Sequence, residues 1–311
     1  MKGINSVVLI LVFLAGIAVG AKAQKASKEQ STPVSKDDFA YSYGILLGNN
    51  FKELGLTTAL IPMEEILNGI ERSMSEKTAI TEQVAQKILQ SQLLELGLSE
   101  NKPPKPNTIS NKKALEKFAF HYGIVVATNW KQFNITLKEV SLEHFQQGLI
   151  AALNNDDLAL SAEAAQTIVT EKFKSLKNEA AEEQLANNRK FMAQNKKKAT
   201  IICLESGVQY EVLKEGSGKQ INRMSDKVTM HYHGTLTDGK VFDSSVEAGQ
   251  PIRFELTGVM KGWQEVIPLM EEGEKIRAYI PAHLGYGNQR RENIPPNSIL
   301  IYEMELIRVG E

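Results

Sequence analysis

Cysteine is almost missing from this chain of 311 residues, and the one copy is Cys203. An intramolecular disulfide is therefore excluded. Cys203 stands in the apolar stretch TIICL, which predicts a buried structural thiol. An excess of charge of one sign is missing too. The 36 Lys and Arg nearly balance the 37 Asp and Glu, which argues against a nucleic-acid-binding protein. Long apolar runs are scarce, and the run from Val7 to Val19 is shorter than the ~20 residues of a spanning helix. With Lys2 before it and Ala21-Lys22-Ala23 after it, this run reads as a cleavable secretory signal over residues 1–23. A membrane anchor is the competing reading, and no Cys follows the run to carry a lipid. Cleavage near Gln24 would remove Lys2 and Lys22 and move the formal charge from −1 to −3. The expected location is outside the cytoplasm, periplasmic or associated with the outer membrane.

Glycine and proline are absent between Leu149 and Ser206, whereas 12 of the 22 glycines follow Ser206. The first part is thus expected to be helical and the last turn-rich. A hydrophobic content of 42% with 23% charged residues is that of a folded soluble protein, and the length predicts two or three units. Residues 24–36 are polar and aperiodic, and read as a flexible segment. Pro103, Pro104 and Pro106 predict an extended linker over residues 101–112.

The segments flanking that linker are alike. YGILLGNNFKELGLTTALIPMEEILNGI from Tyr43 aligns without a gap on YGIVVATNWKQFNITLKEVSLEHFQQGL from Tyr122. One added residue later, ITEQVAQKILQ from Ile80 matches LSAEAAQTIVT from Leu160. This is an internal duplication of about 60 residues, placed at 37–100 and 113–198. Each copy predicts an apolar helix, a second helix after Pro62 or Ser141, and a third capped by Thr81 or Ser161. In the second copy the third helix is expected to run on to about Lys198, through residues rich in Ala, Glu, Lys and Gln. At ~1.5 Å per residue such a rod would hold the last domain tens of ångströms away. Lys196, Lys197 and Lys198 read as favourable charge at its C-terminal end.

From Leu204 the apolar period becomes two. Val228, Met230 and Tyr232 share one face of a predicted strand, with Thr229, His231 and His233 on the other. Asp238-Gly239 is a hairpin signal, EKIRAYIP and SILIYEMELIRV predict later strands, and GVMKGWQEVIPLM supplies one short helix. The expected fold class is α+β. Two helical repeats and a long linking helix precede a domain at 199–311, an antiparallel sheet wrapped on that short helix.

The last 108 or so residues resemble the FKBP-type peptidyl-prolyl isomerases. The resemblance rests on LESGVQYEVLKEGSG, VTMHYHGTLTDGKVFDSS, GQPIRFELTGVMKGWQEVIPLM, IPAHLGYG and IPPNSILIYEMELI, in the family's order and spacing. The helical region is similar to the N-terminal domain of secreted bacterial members of the macrophage infectivity potentiator type, though with two copies in place of one. The resemblance implies a peptidyl-prolyl cis-trans isomerase that needs no cofactor and acts on proline-containing unfolded or partly folded polypeptides, with macrolides as further ligands. It implies catalytic roles for Tyr232, Phe242, Asp243 and Tyr286. Ile252, Val259, Met260, Trp263, Ile294 and Tyr302 would contact the substrate, with Trp263 as the floor and the Met260 backbone N–H as a donor. Taken singly, Phe242, Ile252, Val259 and Ile294 read equally as core, and Asp243 as a turn cap. Their joint order favours the pocket. Ala248 stands where members often carry an Arg, and Tyr302 where Phe is usual. These departures keep open a second reading, a weakly catalytic or non-catalytic chaperone. His231 and His233 form His-x-His, but the sequence places no third ligand, so the reading is non-metal. Because the second helical copy is already present, a monomer with an internal pseudo-dimer is expected, and a homodimer is the alternative assembly.

Overall fold

The computed structural model describes residues 35–75, 80, 82–98, 111–156 and 158–310. The expected signal segment, Thr81 and most of the proline-rich linker lie outside the described residues. The chain divides into two compact units, residues 1–177 and 178–311. Among the described residues no helix is long and apolar enough to cross a membrane.

Among the described residues the first unit is all helical: α1 (Lys36–Glu53), α2 (Met63–Ser75), α3 (Glu82–Glu95), α4 (Lys112–Gln132), α5 (Leu142–Asn154) and the first half of α6 (Ala162–Asn195). Short polar side chains begin these helices by accepting a hydrogen bond from an otherwise unpartnered backbone N–H. Ser35 accepts from Asp38 at 3.0 Å, Asn111 from Ala114 at 3.0 Å, Ser141 from His144 at 3.3 Å and Ser161 from Ala164 at 3.1 Å.

The two copies do not fold side by side. The first helix of each packs on the second helix of the other, α1 against α5 and α2 against α4. Glycines permit this crossing. A β-carbon on Gly44 would lie 2.0 Å from the Phe145 carbonyl oxygen, and one on Gly123 would lie 2.0 Å from that of Ile66. The equivalent pair repeats it: Gly69 would meet the Phe120 carbonyl at 2.0 Å, and Gly148 that of Tyr41 at 2.1 Å. These are corresponding residues of the duplicated sequence, so the pairing follows an approximate two-fold axis. Tyr43 donates to Asn129 Oδ1 at 3.2 Å, and its counterpart Tyr122 is hydrogen-bonded to Asn50. Both phenols are fully buried, which pushes their pKa values well above the usual tyrosine range. Around them lie Phe39, Trp130, Phe145 and Phe173 on one side and Phe51 and Phe118 on the other. The third helices close the core at matching positions, with Ala85, Leu89 and Leu93 of α3 answering Ala165, Val169 and Phe173 of α6.

The second unit begins in α6 and continues into seven antiparallel strands: β1 (Ile202–Cys203), β2 (Gln209–Lys214), β3 (Lys227–Thr235), β4 (Val241–Ser244), β5 (Ile252–Glu255), β6 (Lys275–Ile280) and β7 (Leu300–Val309). The order is β1-β2-β6-β7-β3-β4, with β5 also paired to β3. One short helix, α7 (Lys261–Val266), covers the apolar face through Trp263 and Val266, together with Ile267 just after it. That face carries Met230, Ile276, Ala278, Ile280, Met304 and Leu306. The Asp238-Gly239 hairpin forms as its sequence predicts. Gly239 has φ 84°, Asp238 Oδ1 accepts from the Lys240 N–H at 3.0 Å, and Leu236 bonds the Lys240 carbonyl at 2.9 Å.

Cys203 departs from expectation, because it is exposed. Its apolar neighbourhood belongs to a two-residue strand at the sheet edge that pairs with β2, so Ile202 and Cys203 both remain exposed. The three lysines that follow α6 form the turn at its C-terminal end.

The glycine crossing gives a direct expectation. Gly123→Ala should destabilise the chain by about 1–3 kcal/mol through overpacking, although alanine is the better helix former. Urea unfolding of the full chain checks it, and an unchanged or raised midpoint would show that the helices have room to separate.

Candidate functional site

The aromatic face of β3 continues beyond the helix-covered core and becomes the site. Tyr232 projects from β3, Phe242 and Asp243 from the neighbouring β4, and Tyr302 from β7 on the other side of β3. Ile252 begins β5, and Val259 and Met260 form the turn before α7. Tyr286 and Ile294 stand in the segment between β6 and β7. Trp263, Ile294 and Tyr302 are buried in the unit's core, and Tyr232, Phe242, Ile252, Val259, Met260 and Tyr286 are partly buried against it. Asp243 is exposed and joined to the group through the Tyr232 hydroxyl, which donates to Asp243 Oδ2 at 2.6 Å. Of the ten residues expected from the sequence, Tyr232, Phe242, Asp243, Trp263 and Tyr302 are joined by ring contacts and a hydrogen bond, and the other five pack against the same core.

The rings meet edge to face. Tyr302 sits among Phe242, Trp263 and Tyr232, with centroids 5.4, 5.0 and 6.1 Å away, and Tyr232 stands 5.3 Å from Trp263. Such tilted pairs suit the ring quadrupoles, and each contributes about 0.5–1.5 kcal/mol beyond its buried area. The outcome is a rigid apolar wall with hydroxyls set into it. Burial, together with the hydrogen bond to Asp243, pushes the Tyr232 phenol well above its ordinary pKa. Burial does the same for Tyr302, with Tyr286, Asp243 and Tyr232 adding to the rise. Both phenols therefore stay protonated at neutral pH and able to donate. The Tyr302 hydroxyl has no hydrogen bond among the described residues.

The turn before α7 presents a backbone donor. The Met260 carbonyl accepts from Trp263 and Gln264 at 3.0 and 3.1 Å, while its own N–H has no acceptor among the described residues. Gln264 braces this turn by donating to the Val259 carbonyl at 2.9 Å. At the other side, Arg291 lies over the Tyr286 ring, 5.2 Å from its centroid.

Three residues that sequence reasoning missed complete the site. Gly234 faces the Phe242 and Tyr302 rings. A β-carbon there would come within 2.8 Å of Phe242 and 2.9 Å of Tyr302, so its absence lets the two rings meet. A glycine interrupting the strand pattern HYHGT is the available signal, since it marks a close approach. Ser245 is buried just beyond β4. Its Oγ accepts from the Tyr232 N–H at 2.8 Å and its own N–H donates to the Tyr232 carbonyl at 3.0 Å, which aligns Asp243 with Tyr232. No periodic pattern distinguishes such a serine. Gln264 is the third, hidden in a short helix whose outward side looks ordinary. The His-x-His pair is engaged otherwise: His231 Nδ1 is 3.1 Å from Ser245 Oγ, and His233 Nδ1 is 3.0 Å from Ser244 Oγ. Ala248 lies in an exposed turn, where its N–H bonds the Ser244 carbonyl at 3.2 Å.

Comparison with known proteins agrees with this arrangement. The family described as FKBP-type peptidyl-prolyl cis-trans isomerase matches residues 218–307, and the domain amino terminal to FKBP-type peptidyl-prolyl isomerase matches residues 115–212. The first helical copy lies outside both matched segments. The outer membrane protein MIP of Legionella longbeachae is 33% identical over 202 residues, 62% of this chain and 85% of its own length. The probable FKBP-type peptidyl-prolyl cis-trans isomerase FkpA of Neisseria meningitidis is 31% identical over 204 residues, 63% of this chain and 75% of its own. The crystal structure of FkpA from Escherichia coli superposes with a TM-score of 0.55 at 27% identity, covering 66% of this chain and 98% of that one. The chain belongs to the FKBP-type peptidyl-prolyl cis-trans isomerases. Its reaction is the rotation of X-Pro peptide bonds in proline-containing polypeptides.

Tyr302→Phe tests the site's unusual hydroxyl. Removing a hydroxyl that has no protein partner but is not fully buried should leave stability within about 1 kcal/mol of the parent or raise it. Thermal unfolding of the full chain measures this, and a lower melting temperature would mean the hydroxyl has a partner in solution.

Proposed function

We propose that the ten clustered residues are the isomerase pocket, and that the chain is an exported folding helper whose helical unit holds clients while the pocket turns their prolines. An X-Pro bond resists rotation because partial double-bond character imposes a barrier of ~18–20 kcal/mol. Twisting it requires neither nucleophile nor cofactor. It requires a surface that fits the proline ring, excludes water and offers donors to carbonyl oxygens in the twisted geometry. Trp263 would lie beneath the ring, with Phe242 and Tyr302 as its wall. The Met260 N–H and the Tyr286 hydroxyl would donate to flanking carbonyls. Asp243, held by Tyr232, would orient that hydroxyl or polarise the substrate amide. The observation that carries this reading is the Tyr232–Asp243 bond at 2.6 Å beside a closed ring cluster. It leaves a carboxylate at the edge of an apolar wall with no structural duty beyond its tyrosine partner. The aromatic wall also suits macrolides, which the family resemblance brings in as ligands.

Export rests on the sequence of residues 1–23 and on the relative named as an outer membrane protein. Such relatives support a periplasmic or outer-membrane-associated location. The domain limits at 37–100, 113–198 and 199–311 belong to the same proposal. For assembly, the crosswise pairing of the two copies supports a monomer, because each copy's helix face is already covered by its own duplicate.

Three outcomes are expected. Asp243→Leu in the full chain should lower kcat/KM for an X-Pro peptide by about tenfold or more, in the range for a lost transition-state contact, with an unchanged unfolding midpoint. Parent-like activity would remove Asp243 from the mechanism, and a midpoint that falls with the activity would make it structural. Light scattering at micromolar concentration should give the mass of one chain, and a stable mass of two would contradict internal pairing. In the same preparation, aggregation suppression of an unfolded client should survive Asp243→Leu, since the helical unit is untouched.

A further inference from the structure

The pocket segment that bears Tyr286 is held from outside by the connecting helix. Asn188, in the part of α6 that belongs to the second unit, is largely buried at 9% exposure, and its Nδ2 donates to the Asn297 carbonyl at 2.6 Å. Gln184, one turn earlier, donates to Asn188 Oδ1 at 3.1 Å, which fixes the amide with its NH2 toward Asn297. Asn297 has φ 59°, the left-handed backbone that Asn adopts more readily than other non-glycine residues and that makes the turn before β7. Its N–H donates to the Gly287 carbonyl at 2.7 Å, closing the segment between Tyr286 and β7. Gly287 in turn donates to the Ala282 carbonyl at 2.7 Å. Both polar groups of the Asn297 backbone are thus committed, one to the residue beside Tyr286 and one to the helix. The helix itself is seated independently. Gln209 donates to the Met192 carbonyl and accepts from Asn195 Nδ2, both at 3.0 Å, and Phe191 packs on Tyr279.

We infer that Asn188 is a positioning residue for the isomerase reaction: through Asn297 and Gly287 it sets the place of the Tyr286 hydroxyl at the substrate carbonyl. The inference rests on the donor role proposed for Tyr286. The physical reason is the steep dependence of catalysis on the position of a donor, since a shift of about 1 Å in a reacting geometry costs up to about a hundredfold in rate. A segment closed by these short hydrogen bonds transmits displacement at Asn297 to its far end. The functional isomerase is then larger than the sheet and its short helix, and includes the helix from Gln184 onward.

The test uses the full chain and an X-Pro peptide, with Asn188→Leu, Asn188→Asp, Tyr286→Phe and the double change Asn188→Leu/Tyr286→Phe. Asn188→Leu and Asn188→Asp should each lower kcat by about tenfold while KM stays within about twofold, as for a donor misplaced mainly in the transition state. With Tyr286→Phe already present, Asn188→Leu should cost less than about twofold more, because contacts that act through one group are not additive. Asn188→Asp keeps the side chain's shape and decides the matter if Asn188→Leu does not fold. Parent-like kcat in both Asn188 variants overturns the inference. So does an equal loss from Asn188→Leu with and without the Tyr286 hydroxyl, since that is the pattern of general destabilisation. A Tyr286→Phe chain as active as the parent refutes instead the donor role itself, and the route through it.

Discussion

Contact between backbones where no side chain fits is the constraint on which this structure depends. At Gly44, Gly69, Gly123 and Gly148 two helices touch main chain to main chain, with carbonyl oxygens occupying the space a β-carbon would take. The crossings fix which helix faces which, and so fix that each copy completes the other. At Gly234 the same device works inside a sheet, where the missing side chain lets Phe242 and Tyr302 close over the strand. The helical scaffold and the site are both built around places left empty. Glycine costs helix and strand stability on its own, so a compensating contact is needed at each. Here that contact is aromatic: Tyr43, Trp130 and Phe145 beside the crossings, and the Trp263–Tyr302–Phe242 edge contacts in the site.

Much of this could be read from residues. The alternation Val228–Met230–Tyr232 gave the buried face of β3, and Asp238-Gly239 its hairpin, because strand period and turn chemistry are local properties. The duplication was legible because Tyr43 and Tyr122, with everything through Gly69 and Gly148, keep a constant offset. The candidate site was read as an ordered set of aromatic and aliphatic residues and not from any one of them. Phe242 alone looks like core, and it is indeed packed against the core.

What stayed hidden depends on partners distant in sequence. Ser245 matters because the residue just past β4 bonds both backbone groups of Tyr232. Asn188 matters because a helix lies beside a turn more than a hundred residues later, and a polar residue on a helix of low amphipathicity carries no mark of this. Cys203 was misplaced for a related reason. TIICL is apolar, but apolarity does not tell whether a short strand lies in the middle of a sheet or at its edge, and only the order β1-β2-β6 places it at the rim. Pairing of the two copies within one chain was expected from repetition, while the crosswise order of the helices and the carbonyl contacts that enforce it come from the crossing itself.

Joining the two copies in one polypeptide has an evolutionary consequence. In an assembly of identical chains, any substitution appears on both sides of the axis at once, and a change tolerated on one side alone is unavailable. Within a single chain each half drifts by itself. Where the second copy has Trp130, packed against Phe39, Tyr43 and Phe145, the first has Phe51, packed against Phe118 and Tyr122. Where Arg72 lies over the Phe120 ring on one flank, the corresponding positions of the other are Ala151 and Tyr41. The two outer surfaces therefore present different chemistry to whatever approaches them, a freedom that strict two-fold symmetry forbids.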